Sequence, residues 1–361
     1  MKKVLFATTA LVMSMTAGVA VAEVAVTGDA RMGLIYDGND AQFGSRARVR
    51  FTLTGESDAG LSFGASFRVD HQDERGGKAN AGTAGSVWIS GTYGKLEMGD
   101  VVSASEAAIG DLYEVGYTQG EFGGDLEEIS YLTADGNNLD QGPNILYSYS
   151  ISGFNLYASA SDSSDNAWPG AAGADNPFCD VVDADGDGEL DDEVCGVAGG
   201  DTDSELAWSV AANYEGTHAN GTYTVGLGYA KHGDAKEVVL GAEGTYGAFS
   251  GKIIYADYKD RAGIDFRVGD NPMVEFDNAN YNYDKAYGLS LAYEFDAVTV
   301  KGYYRRDVAE AIVAGADDTD FDTWGIGADY DLGGGAILAG GIVDSDWIAD
   351  TVADVGVRFK F

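Results

Sequence analysis

Between Ser45 and Thr54, Arg46, Arg48, Arg50, Thr52 and Thr54 alternate with Ala47, Val49, Phe51 and Leu53. Successive side chains of a β-strand point to opposite faces, so this run predicts a strand with one ionic face and one wholly apolar face. The pattern recurs along the chain. Glu23–Tyr36 sets Thr27, Asp29 and Arg31 against Val24, Val26, Ala30, Met32 and Leu34; Leu61, Phe63, Ala65, Phe67 and Val69 oppose Ser62, Ser66, Arg68 and Asp70. Farther on, Leu206, Trp208, Val210, Ala212 and Tyr214 oppose Glu205, Ser209, Asn213 and Glu215. About sixteen such segments can be marked off by turn residues, with no helical pattern between them. Two segments depart from the rule: Lys252–Tyr258 and Gly335–Val343 look apolar on both faces, which is the expectation where subunits pack together.

Strands with two solvents fit an antiparallel barrel standing in lipid, apolar outside and wet inside. The start of the chain agrees with export. Lys2 and Lys3 precede the mostly apolar Val4–Met13, and Ala20, Val21 and Ala22 precede Glu23, so residues 1–22 read as a signal peptide and 23–361 as a single barrel. No later run of about 18 apolar residues offers a transmembrane helix, and only a closed barrel can then satisfy its backbone in a bilayer. The connections alternate in length. Tight turns such as Ser57–Gly60 and Leu332–Gly335 alternate with long acidic segments, of which Val102–Pro143 and Ser161–Ser204 are the extremes. Outer-membrane barrels have this asymmetry, with long loops facing outward.

Composition adds 52 glycines, 21 tyrosines and only 4 prolines. The formal charge of −37 makes nucleic acid an improbable partner. Placement matters more than the total. Arg31, Arg46, Arg48, Arg50 and Arg68 fall on one face of the first strands, and no lysine or arginine follows Lys95 until Lys231. Glu106, Asp111, Glu114, Asp125, Glu127 and Glu128 all lie in one long loop, 102–143. Inward guanidiniums on adjacent strands repel unless water, salt or carboxylates offset them, and a loop folded into the lumen is one source of carboxylates. A solvated external loop is the other reading of these acids.

The stretches GDARMGLIYDG (Gly28–Gly38), GLSFGASF (Gly60–Phe67), GKLEMGD (Gly94–Asp100), SASEAAIGDLYEVGYT (Ser103–Thr118), DKAYGLS (Asp284–Ser290), YDLGGGAILAGGI (Tyr330–Ile342) and the terminal ADVGVRFKF closely resemble general-diffusion porins of the Rhodobacter type. The resemblance runs from Glu23 to Phe361 and lapses mainly in Ser161–Ser204. It implies a sixteen-stranded outer-membrane barrel, trimeric, surrounded by lipid and lipopolysaccharide, with one pore per subunit passing small hydrophilic solutes and ions. It also implies a third loop bent inward, whose acidic rim faces a basic wall. Carried over, the wall is Arg31, Arg46, Arg48, Arg50 and Arg68. The rim draws on Glu106, Asp111 and Glu114 and, where the match loosens, Asp125, Glu127 and Glu128. No catalytic residue and no required cofactor follow.

One motif stands apart. Asp183, Asp185, Asp187, Glu189 and Asp191, with Gly186 and Gly188 between, have the alternating carboxylates and the glycine of a calcium loop, but Val194 stands where a bidentate glutamate belongs. Calcium binding and a merely solvated acidic loop both remain open. Cys179 and Cys195 flank the segment, and export permits a disulfide between them. Two other function classes fit the sequence less well: an outer-membrane adhesin or receptor acting through its long loops, and a soluble exported calcium-binding β-protein.

Overall fold

A computed structural model describes residues 23–72, 85–120, 125–133, 144–161, 179–182, 192–195, 206–262, 281–311, 318–348 and 350–361. The expected signal peptide and the acidic motif 183–191 lie outside these residues. The elements run β1 (Glu23–Tyr36), β2 (Ala41–Glu56), β3 (Ser62–Gln72), β4 (Gly85–Gly91), β5 (Gly94–Gly99), α1 (Ala104–Ile109), β6 (Asn144–Ile151) and β7 (Phe154–Ser161). Then come β8 (Cys179–Val182), β9 (Asp192–Cys195), β10 (Ala207–His218), β11 (Gly221–His232), β12 (Ala235–Tyr246) and β13 (Phe249–Ala262). The chain ends with β14 (Tyr281–Phe295), β15 (Val298–Ala311), β16 (Thr319–Gly333), β17 (Ala336–Ser345) and β18 (Val352–Lys360).

All strands but β8 and β9 form one closed barrel of sixteen, each hydrogen-bonded to its neighbours, with β1 against β18 completing the ring. At the seam Gly28 and Phe361 exchange backbone hydrogen bonds of 3.3 and 2.8 Å. Closure leaves no edge, the condition for a sheet in hydrocarbon. β8 and β9 pair separately within the 161–204 connection, in a register that sets Cys179 opposite Cys195.

Sidedness is inverted relative to a soluble protein. Leu291 is 58% exposed whereas its neighbour Ser290 is 0% exposed, and the same reversal holds for Met32 and Arg31. In water an exterior of Leu291, Leu227, Ile253, Val87 and Met98 would be costly; against acyl chains it costs nothing. The soluble alternative fails on this point.

The third connection on the long-loop side, from β5 to β6, enters the lumen. α1, capped by the Ser103 hydroxyl on the Glu106 N–H (3.1 Å), lies against β7, β10, β11 and β12. The chain then passes β14 to β17 to reach β1 and β18, and returns through 125–133 along β15, β13 and β12. Its apolar side chains, among them Ile109, Leu112, Val115, Leu126 and Ile129, pack with Val239, Ile254, Ala286, Tyr303 and Val343 of the wall. The doubly apolar segments find partners for their inner faces here. Ile254, Ala256 and Tyr258 on β13, and Ala339 and Val343 on β17, are buried under the loop, so subunit packing is not needed to account for them.

Candidate functional site

The ladders fix which side chains share the inner wall. In β1 and β2, Arg31 lies opposite Arg46, Asp29 opposite Arg48 and Thr27 opposite Arg50. In β2 and β3, Arg48 lies opposite Asp70 and Arg50 opposite Arg68. In β1 and β18, Arg31 faces Arg358 and Asp29 faces Lys360. All five arginines of the expected wall therefore meet, and they line a cavity of about 500 Å³ together with Arg358, Lys360 and Lys301. Lys301, Arg358 and Lys360 enlarge the wall beyond the five. Arg358 and Lys360 alternate with Val357 and Phe359 in the sequence and so belong to the inner face by parity; Lys301 carries no such signal.

Two unit charges about 5 Å apart repel by roughly 3 kcal/mol at an effective dielectric near 20, so the array needs counter-charge. The wall supplies it locally. Asp70 bridges Arg68 (2.8 Å) and Arg48 (3.1 Å), Asp29 pairs with Arg46 (3.5 Å), and Asp329 accepts from Arg358 (2.7 Å) and Lys301 (3.1 Å). Among the described residues these ion pairs are made by wall aspartates. Arg50 makes no ion pair among the described residues and faces the cavity.

The loop is held in the lumen by polar tethers from most of the ring. Arg31 donates to the Thr118 carbonyl. Asp354 accepts from the Tyr117 and Thr118 amides (3.0 and 2.8 Å), and Ser159 and Ser209 hydroxyls both receive the Ala104 N–H at 2.9 Å. Asn213 donates to the Ala108 carbonyl (2.9 Å), Glu237 accepts the Leu132 N–H (2.6 Å), and Tyr258 and Arg261 both donate to the Ser130 carbonyl. The deepest tether is Arg305. Paired with Asp307 at 2.9 Å, and with both side chains almost fully buried, it donates to the Leu126 and Glu128 carbonyls.

Of the six expected loop acids, Asp111, Glu114, Glu127 and Glu128 line a second cavity of about 550 Å³, joined there by Tyr113 and Glu243. Glu106 and Asp125 sit off it: Glu106 opens α1, and Asp125 occupies a left-handed turn whose amide bonds to the Gly120 carbonyl. Asp111 has a second task, accepting the Ile129 N–H at 2.7 Å across the loop. Glu243 projects from β12, and its sequence context does not distinguish it from other strand carboxylates; it accepts from Tyr113 at 3.1 Å. Glu127 is 2% exposed, and burial, reinforced by the negative charge of Asp125, pushes its carboxyl well above the ordinary range. Lys301 borders both cavities, so the acid-lined and base-lined spaces adjoin at that side chain.

A family model described as Gram-negative porin matches residues 7–346. A porin of Rhodobacter capsulatus is 40% identical over 350 residues, which cover 94% of this chain and 100% of that one. A porin of Fuscovulum blasticum is 29% identical over 353 residues, with the same coverage of 94% and 100%. Among solved structures, a porin refined at 1.8 Å matches with a TM-score of 0.65 and 36% identity, covering 94% of this chain and 100% of its own. A closed sixteen-stranded barrel with an apolar exterior and a charged interior, matched over nearly its whole length, belongs to the Gram-negative porin family and is an outer-membrane channel for small solutes.

Proposed function

We propose that the loop from 102 to 143 narrows this channel to a waist with opposite charges on its two sides. The basic side is Arg31, Arg46, Arg48, Arg50, Arg68, Arg358, Lys360 and Lys301; the acidic side is Asp111, Glu114, Glu128 and Glu243, with Glu127 behind them. The observation that carries this reading is Lys301, which borders the acid-lined and base-lined cavities at once. A transverse field across the waist orders water and orients polar solutes, whereas apolar solutes would have to displace strongly held water. No step requires a broken covalent bond, so the protein acts without catalytic residues and without a required cofactor.

The acidic mouth biases the channel toward cations and the wall arginines oppose that bias. Replacing Arg46, Arg48 and Arg50 together with alanine is expected to raise single-channel conductance and shift the reversal potential in a salt gradient toward cation preference. An unchanged current and reversal potential would remove these residues from the conduction path.

Three finer features complete the proposal. The protein is a homotrimer with one pore per subunit, recognisable as conductance steps in threes, and it sits among outer-membrane lipid and lipopolysaccharide. Cys179 and Cys195 form a disulfide; their directly opposed positions in the β8–β9 ladder support the pairing. The intervening Asp183, Asp185, Asp187, Glu189 and Asp191 are either a calcium loop or a solvated acidic segment, which calorimetry with calcium on wild type and on Asp185→Asn/Asp187→Asn decides: equal heats dismiss the site.

A further inference from the structure

Among 361 residues with 59 acids and only 22 lysines and arginines, three lysines stand side by side on the outside of the barrel. Lys231 of β11 lies directly opposite Lys236 of β12, and Lys236 lies directly opposite Lys259 of β13. Strand parity turns all three outward. Lys231 follows Val225, Leu227 and Tyr229; Lys236 precedes Val238 and Leu240; Lys259 follows Ile253 and Tyr255. The alternate positions, Ala230, Glu237, Val239, Ile254, Ala256 and Tyr258, are buried on the lumen side.

Like charges directly opposite on neighbouring strands, with side chains about 5 Å apart, destabilise a sheet. The nearby acids are not paired with this row. Asp234 lies in the β11–β12 turn, Asp257 accepts from Tyr255 (3.1 Å) and lies opposite Lys285, and Asp260 follows Lys259. Among the described residues no carboxylate forms an ion pair with Lys231, Lys236 or Lys259. Three amines held in a line, to which the described residues supply no ion-pairing carboxylate, call for an anion from the surroundings.

Depth in the membrane identifies that anion. Trp208 of β10 lies directly opposite Lys231 and packs against Tyr229, with ring centroids 5.5 Å apart. Outward tryptophan and tyrosine mark the level of lipid headgroups, and below them Leu227, Leu240 and Ile253 present the surface for acyl chains. The row lies at the long-loop end, the end facing the outer leaflet. We propose that Lys231, Lys236 and Lys259 form a binding site for the phosphoryl groups of an outer-leaflet glycolipid, the lipopolysaccharide class; this rests on the outer-membrane channel reading. A multiply phosphorylated headgroup spans adjacent amines in a way that a single phosphodiester cannot.

Purified wild-type trimer and a Lys231→Gln/Lys236→Gln/Lys259→Gln variant are titrated in detergent with lipopolysaccharide, with its dephosphorylated form and with phosphatidylglycerol. Heat-dependent gel mobility gives the lipid concentration for half-maximal protection. Each lysine contributes about 1 kcal/mol to binding an anionic surface, so the variant is expected to need roughly a hundredfold more lipopolysaccharide. Dephosphorylated lipid should protect wild type poorly. Equal protection of variant and wild type overturns the site; equal protection of wild type by phosphatidylglycerol overturns the glycolipid assignment. Single-channel conductance of the same preparations separates the two readings. A variant that conducts like wild type but has lost the lipid dependence supports the site, whereas loss of conduction in wild type would strike at the channel itself.

Discussion

Two sectors of the inner wall obey opposite rules. Along β1, β2, β3 and β18 the inward positions carry arginine, aspartate and lysine around an open cavity. Along β11 to β15 they carry Ala230, Val239, Ile254, Ala256, Ala286 and Tyr303, all buried. Both sectors face the same lumen. What differs is the neighbour: water on one side, the inserted loop on the other. Where the loop covers the wall the barrel acquires a small conventional core, and the ionic side chains buried there, among them Glu237, Arg261, Arg305 and Asp307, are paired with one another or with the loop backbone.

The largest effect expected from testing this contrast comes from Arg305. It is one of several ionic residues buried in the covered sector, 1% exposed, paired with Asp307 and holding two loop carbonyls. Removing one partner of a buried pair costs about 3–5 kcal/mol, because the other charge is stranded. Arg305→Ala should release the 125–133 segment and give noisy, larger channel currents together with earlier urea unfolding. Arg305→Met combined with Asp307→Leu should recover most of the stability without restoring the tether. If Arg305→Ala leaves current noise and unfolding midpoint unchanged, the loop is held elsewhere.

Next is the fit of loop to wall. A Cβ on Gly341 of β17 would stand 2.6 Å from the backbone nitrogen of Gly116, and one on Gly241 of β12 would stand 2.5 Å from the Ile109 side chain. Isoleucine can turn aside; backbone cannot. Gly341→Val should therefore cost about 1–3 kcal/mol in loop docking, whereas Gly241→Ala should cost less. Comparing the two variants by limited proteolysis of the loop checks the order.

These glycines show where the sequence stops being legible. Barrel, strand count and the arginine face follow from alternation, since parity alone decides which residues share a solvent. The covered sector does not, because its inward alanines, glycines and isoleucines are indistinguishable from outward ones until the loop is seen upon them. The same holds for the acids. Glu127 and Glu128 are neighbours in sequence, yet Glu127 is buried and Glu128 exposed, a difference set by how the loop folds back on β15.

That pair sharpens the comparison through pH. Burial and nearby Asp125 raise the Glu127 carboxyl well above its ordinary value, so the folded loop favours the protonated form more than the unfolded chain does. The folded state then binds more protons than the unfolded chain between the two values. Docking is strongest at acid pH and weakens as pH rises through the raised value. Current noise should accordingly increase with pH in wild type and lose that dependence in Glu127→Gln, while Glu128→Gln keeps it. A flat wild-type profile would mean that the carboxyl is already ionised in place.

The smallest effect is expected one residue from the largest. Arg306 follows Arg305 on β15 but points outward, its guanidinium forked on both oxygens of Asp322 at 2.5 Å with a longer contact to Asp320. The geometry is better than that of Arg305, and both partners are partly exposed. Good geometry adds little when the separated charges can be solvated again, so Arg306→Ala should leave conductance, current noise and pH profile at wild-type values and shift the unfolding midpoint only slightly. A loss comparable to that of Arg305→Ala would show that the outer rim around Asp322 is as dry as the space beneath the loop, and the division of the wall by solvent would have to be redrawn around the outside of the barrel as well.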